Sequence, residues 1–146
     1  MTNETMRKFG YPGSLLREFD HWVVLLRPVQ VTLGSLVLAA KSEATAFGGL
    51  PAAAYAELSQ VTAQVEATLK GAINYQKINY LMLMMVDPHV HYHVIPRYQG
   101  GRSIGSLTLV DSGWPGPPDL KAGVALDAET ADRVKHRLSN NWSTIC

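Results

Sequence analysis

The 146-residue chain has one cysteine, Cys146, at its last position. A lone thiol cannot build an intrachain disulfide framework, so the fold must be held by a core, as suits a reducing compartment. An excess of either charge is also missing. There are 13 Lys and Arg against 12 Asp and Glu, a formal net charge of +1. That balance argues against a broad basic surface for nucleic-acid backbones, yet leaves room for a local site for one or two phosphates. Long hydrophobic runs are absent too. The stretch from Leu81 to Val86 is far short of the roughly 20 residues of a membrane span. The segment from Met1 to Lys8 has no apolar core of the secretory-signal type. The expectation is a soluble cytoplasmic protein that engages neither nucleic acid nor membrane.

What is present suits a folded protein: 47% hydrophobic and 17% charged residues are globular proportions. We expect a loose N-terminal arm over 1–13, ending in the turn-forming Gly10-Tyr11-Pro12-Gly13, and a single domain over 14–146. Leu15, Leu16 and Phe19 suggest a short helical turn capped by Ser14. His21 to Arg27 and Gly34 to Ala40 read as paired strands of a hairpin. Pro51 to Lys70 reads as the long helix, with Ala54, Leu58, Val61, Val65 and Leu69 on one apolar stripe and Gly71 as its C-terminal stop. Ile78 to Val86 reads as a continuous apolar strand whose methionines fill the core. Asp87-Pro88 then makes a tight connection. Gly100-Gly101 is a break, Leu107 to Val110 a short strand, and Asp111 to Pro118 a loop. Asp127 to Leu138 reads as a capped C-terminal helix. The fold class is α+β, an antiparallel sheet of about five strands with one long helix and a C-terminal helix.

The most informative stretch is His89-Val90-His91-Tyr92-His93-Val94-Ile95-Pro96-Arg97. Alternation of this kind marks a half-buried strand. It would set His89, His91 and His93 on one face, about 6.5 Å apart, and Val90, Tyr92 and Val94 in the core. Imidazoles titrate near neutral pH and can act as nucleophile, acid or base. Two of them could also hold zinc with help from Asp87 or Cys146, although three on one strand are too spread to close on a single ion. The remaining reading is an unremarkable solvated strand.

The pattern His-φ-His-φ-His-φ-φ, with φ apolar, resembles the histidine triad (HIT) superfamily, and the trailing Pro96-Arg97 is similar to its dinucleoside polyphosphate hydrolase branch. The order of hairpin, Leu33 to Leu38, long helix and strand resembles the family as well, over roughly residues 15–98. The resemblance implies a HIT-like nucleotide-binding fold, a homodimer with joined sheets, and cleavage at the α-phosphate of a dinucleoside polyphosphate, phosphoramidate or adenylate. His91 would attack phosphorus to give a covalent nucleotidyl-histidine. His93 would contact the phosphate and leaving group, and His89 would support. Arg27, Leu25 and Ser35 would contact the nucleotide. For Arg27 an ordinary strand-end cation is the other reading, and for Trp22 and Leu25 buried core. No metal site or cofactor is required, though Mg²⁺ could accompany a polyphosphate. Where many members carry a polar Gly- and Gln-rich loop, this chain has Val86-Asp87-Pro88. A non-catalytic nucleotide-binding module and a zinc-binding protein are the alternatives.

Overall fold

A computed structural model describes residues 2–142. In chain order its helices are α1 (Glu4–Lys8), α2 (Ala52–Ile73) and α3 (Ala128–Asn140). Its strands are β1 (Leu15–Glu18), β2 (Trp22–Leu26), β3 (Val29–Gln30), β4 (Leu36–Ala40), β5 (Lys77–Leu81), β6 (His91–Arg97), β7 (Gly101–Ile104), β8 (Leu107–Val110) and β9 (Val124–Ala125). Five of them form one antiparallel sheet in the order β1-β2-β4-β6-β5. Two small two-stranded sheets, β3–β9 and β7–β8, flank it. No helix among the described residues is long and apolar enough to cross a membrane.

Both faces of the central sheet are covered, which is why β2 and β4 are buried at every position instead of alternating. On one face Trp22, Val24, Leu26, Leu36, Leu38 and Val94 pack against Ala54, Val61, Val65 and Leu69 of α2. The Trp22 indole N–H donates to the Ala54 carbonyl at 2.8 Å, so Trp22 belongs to the core. On the other face Val23, Leu25, Val37 and Ala39 meet Met6 of α1, with Phe9, Tyr11 and Leu15 around them. In register, Ala39 lies opposite His91 and Val37 opposite His93. The histidines of β6 therefore share a face with α1, while Tyr92 and Val94 turn towards α2.

The N-terminal arm is not loose. Asn3 caps α1 by accepting from the Met6 N–H at 2.9 Å. Its amide donates to the carbonyls of Ala40 and Ser42, at 2.8 and 3.0 Å. Met6 is fully buried, and covering an otherwise bare apolar sheet face supplies the driving force. The stretch expected as a helical turn at Leu15 is instead β1, because its backbone completes the sheet edge beside β2, with Leu15 opposite Leu25. Helix α2 runs past Gly71 to Ile73. Asn74 takes the left-handed cap position at φ 55°, a conformation that Asn tolerates. Gly34, at φ +93°, makes the turn into β4. A Cβ there would sit 3.0 Å from Ile73 Cγ1, so the turn needs glycine for both backbone and space.

The strand expected over 78–86 stops at Leu81, whose partner is His93. Met84 adopts φ 53° and cannot continue an extended chain. Residues 82–90 become a loop, with Met85 85% exposed, so Met85 is not a core filler. The Gly100-Gly101 break also hides a strand, since Gly101 opens β7 and pairs with Val110.

Candidate active site

The first six residues of β6 are His91, Tyr92, His93, Val94, Ile95 and Pro96, and pleating sets His91, His93 and Ile95 on the face opposite Tyr92 and Val94. The His91 and His93 rings lie 5.1 Å apart, centroid to centroid, nearly perpendicular. Phe9 packs against both, at 5.5 and 5.6 Å. Together with Lys8, Arg27 and the loop Leu83–Asp87 they line a cavity of about 290 Å³, close to the small end of ligand sites. Lys8 and Asp87 pair across it at 2.8 Å.

His91 is 2% exposed and sits deep in this cavity. Its Nδ1 lies 2.7 Å from the His89 carbonyl oxygen. A carbonyl only accepts, so Nδ1 carries the proton and Nε2 keeps its lone pair. His93 is arranged the opposite way. The Arg27 Nε–H donates to His93 Nδ1 at 3.3 Å, so the His93 proton resides on Nε2. Burial, then the Arg27 charge and His91, lower the His93 pKa to about 4, against a weaker opposing pull from Asp87. Burial also lowers the pKa of Arg27. Its Nη1 donates to the Val29 carbonyl, and its side chain lines the cavity.

His89 departs from the expected row. It precedes β6, and its ring is held away from the cavity. The Thr5 hydroxyl accepts from the His89 backbone N–H at 3.2 Å and lies 3.1 Å from Nδ1, while Nε2 lies 3.0 Å from a Glu43 carboxylate oxygen. Two of the expected nucleotide contacts are elsewhere. Leu25 is fully buried beneath α1, two strands from His93. Ser35 is spent on its own turn, donating to the Thr32 carbonyl at 2.7 Å and accepting from the Thr32 N–H at 3.1 Å. Lys8, Phe9 and Leu83 to Met85 are wall residues to which the sequence assigned no role at the site, whereas Val86 and Asp87 belong to the connection expected beside the histidines. The Asn3 cap, Glu4 in the first turn and the apolar pair Met6 and Phe9 three apart were the available signal for α1.

No group of three or more His, Cys, Asp or Glu among the described residues is placed to hold a metal ion, and Cys146 lies outside them. A wider hollow of about 540 Å³ beside α3 is lined by Glu129, Asp132, Arg133 and His136. There Arg133 is paired with Glu129 at 2.7 Å and His136 with Asn140 at 3.1 Å. The triad cavity offers the more reactive arrangement, a lone-pair nitrogen beside a donor nitrogen.

No protein-family model matches the chain, and no curated protein matches it. Solved structures do. A histidine triad (HIT) protein from Sinorhizobium meliloti 1021 is similar at a TM-score of 0.75 and 22% identity, over 97% of this chain and 96% of that one. A histidine triad protein from Bradyrhizobium japonicum gives 0.74 and 18%, over 98% of each. A hypothetical histidine triad nucleotide-binding protein from Sulfolobus tokodaii strain 7 gives 0.71 and 17%, over 94% and 88%. The α+β architecture is thus the histidine-triad fold, with His91 and His93 on β6 and His89 two residues before it.

Proposed function

We propose that the protein is a histidine triad nucleotidyl hydrolase or transferase that cleaves at the α-phosphate of a nucleotide. The observation that carries this reading is the 2.7 Å contact from His91 Nδ1 to the His89 carbonyl, which leaves Nε2 as a nucleophile in a cavity shared with His93 and Arg27. The likeness to a structure described as a nucleotide-binding triad protein supports the substrate class.

In this scheme Arg27 and the Nε2–H of His93 bind the non-bridging oxygens of the phosphate. The Arg27 guanidinium turns from His93 Nδ1 to the incoming phosphate, whose negative charge offsets its own, so Nδ1 is free to take up a proton as substrate binds. His91 Nε2 then forms a bond to the α-phosphorus, and the bond from phosphorus to the leaving oxygen or nitrogen breaks. His93 hands its proton to that atom. Water next attacks the nucleotidyl-histidine, His93 accepts the proton lost by the water, and the nucleoside monophosphate leaves with His91 restored. No step runs through a metal, and Mg²⁺ would enter only with a polyphosphate substrate. The chain would act as a homodimer. Among the described residues strand β5 is a sheet edge bonded to β6 alone, and an unpaired edge is a template for a second copy. Light scattering at twice the chain mass is the expected reading.

The test is to incubate the protein with adenosine phosphoramidate and, separately, diadenosine tetraphosphate, quench, and digest for mass spectrometry. A nucleotidyl group on His91 and its loss in His91→Ala are expected. Turnover without any adduct, or equal turnover by His91→Ala, would overturn the mechanism. Micromolar AMP binding with no turnover of either substrate would favour a binding module.

A further inference from the structure

We infer that Thr5 and Glu43 are positioning residues that act on His91 through His89, so that the N-terminal helix is part of the catalytic apparatus. The inference rests on the reading of His91 as nucleophile. His89 lines no part of the cavity, yet both its ring nitrogens and its peptide are engaged. The Thr5 oxygen accepts from the His89 N–H, which frees its own hydrogen for His89 Nδ1. That leaves the ring proton on Nε2, 3.0 Å from Glu43. The side chain is therefore clamped from two sides. The His89 carbonyl, clamped with it, receives the His91 Nδ1–H.

This last bond decides which nitrogen of His91 is the nucleophile. A carbonyl free to swing away would leave His91 exchanging tautomers, and part of its population would present a protonated Nε2 to the substrate. The same helix places the Phe9 ring against His91 and His93 and restricts the rotation of both. Helix α1 can carry this function because it is pinned independently, by Asn3 to the Ala40 and Ser42 carbonyls and by burial of Met6.

The experiment compares full-length wild type with Thr5→Val, Thr5→Ser and Glu43→Ala in two measurements. The first is steady-state kinetics with adenosine phosphoramidate. Thr5→Val is expected to lower kcat roughly tenfold to a hundredfold, the usual cost of a small misplacement of reacting groups, with KM changed by less than about threefold because Thr5 touches no substrate. Thr5→Ser keeps the hydroxyl and restores most of the rate. Glu43→Ala, at an exposed position where folding is insensitive, lowers kcat in the same direction. The second is the nitrogen-15 spectrum of the histidine rings at pH 7.5. Wild type should show His91 as a single Nδ1–H tautomer and the Thr5→Val protein a mixture. This measurement needs no turnover. If wild type processes no nucleotide but the tautomer shift appears, the assignment of function fails and the positioning role stands. An unshifted His91 spectrum in both Thr5→Val and Glu43→Ala, or an unchanged kcat in both, overturns the inference.

Discussion

His93 and Arg27 show how far one contact sets the chemistry of a residue. A guanidinium donating to an imidazole nitrogen forbids a proton on that nitrogen and repels a charge on the ring. Burial is the largest cause, the Arg27 charge and His91 add to it, and the His93 pKa falls to about 4 from an ordinary 6.5. Two outcomes follow. Binding of AMP should be accompanied by proton uptake at pH 7, measurable by titration calorimetry in buffers of different ionisation enthalpy. The uptake should vanish in His93→Gln. Folding stability should also respond to acid through this residue. Between about pH 6.5 and 4 the unfolded chain protonates His93 and the folded chain does not, so folding must release a proton there. The associated stability is complete above pH 6.5 and is lost as pH falls towards 4. Discounted for solvent screening of a partly open site, the loss is on the order of 2 kcal/mol. Urea unfolding at pH 7 and 4.5 should show a loss larger by about that amount in wild type than in His93→Gln.

At the scale of the element, α1 is the surprise and β6 is not. Alternation of histidine with Val and Tyr was legible because a strand has a period of two, and the long helix was legible because Ala54, Val61, Val65 and Leu69 keep a helical period. Both signals are local. The five-residue α1 is shorter than the length at which a helix is stable alone. It forms because Met6 finds the apolar face made by Val23, Leu25, Val37 and Ala39, residues far along the chain. Nothing within residues 1–13 announces that face. The same holds for the site. His91 and His93 follow from spacing, whereas the removal of His89 to Thr5 and Glu43 depends on contacts 84 residues apart and on a neighbouring loop. Leu25 and Ser35 lie away from the cavity because their depth depends on which sheet face α1 covers and on the Thr32–Ser35 turn. Met6→Ala tests this account. A cavity under α1 should lower stability by about 2–5 kcal/mol and, by loosening Phe9 and Thr5, should lower kcat as well. Denaturant unfolding and kinetics on the same preparation check both. A stability loss with an unchanged kcat would show that α1 packs without guiding the histidines.

The whole molecule is tied together just beyond the triad strand. Arg97 ends β6, 3% exposed, and its Nε and Nη2 donate to the two oxygens of Asp111 at 2.7 and 3.1 Å. It also donates to Asn79 of β5 at 2.8 Å and to the Gly116 carbonyl at 2.8 Å. Asp111 accepts in addition from the N–H groups of Tyr98 and Gly113, both at 3.2 Å. One ion pair thus joins the central sheet, the β7–β8 ribbon and the loop carrying Trp114. A buried pair of this kind gains little over apolar groups of the same shape, because both charges surrender hydration. Losing one partner is different, since the other charge is left buried without its counterion. Asp111→Ala should therefore cost about 3–5 kcal/mol. The double variant Arg97→Met, Asp111→Leu should recover part of that loss, but not all of it, because the Tyr98 and Gly113 N–H groups stay unpaired. The ordering of denaturation midpoints, wild type above the double variant above Asp111→Ala, is the expected result. A double variant no more stable than Asp111→Ala would mean that the tie works through its hydrogen bonds to the backbone and not through its charges. Because His93 lies four residues before Arg97 on the same strand, the proposed function adds that slackening this tie should raise the KM for nucleotide.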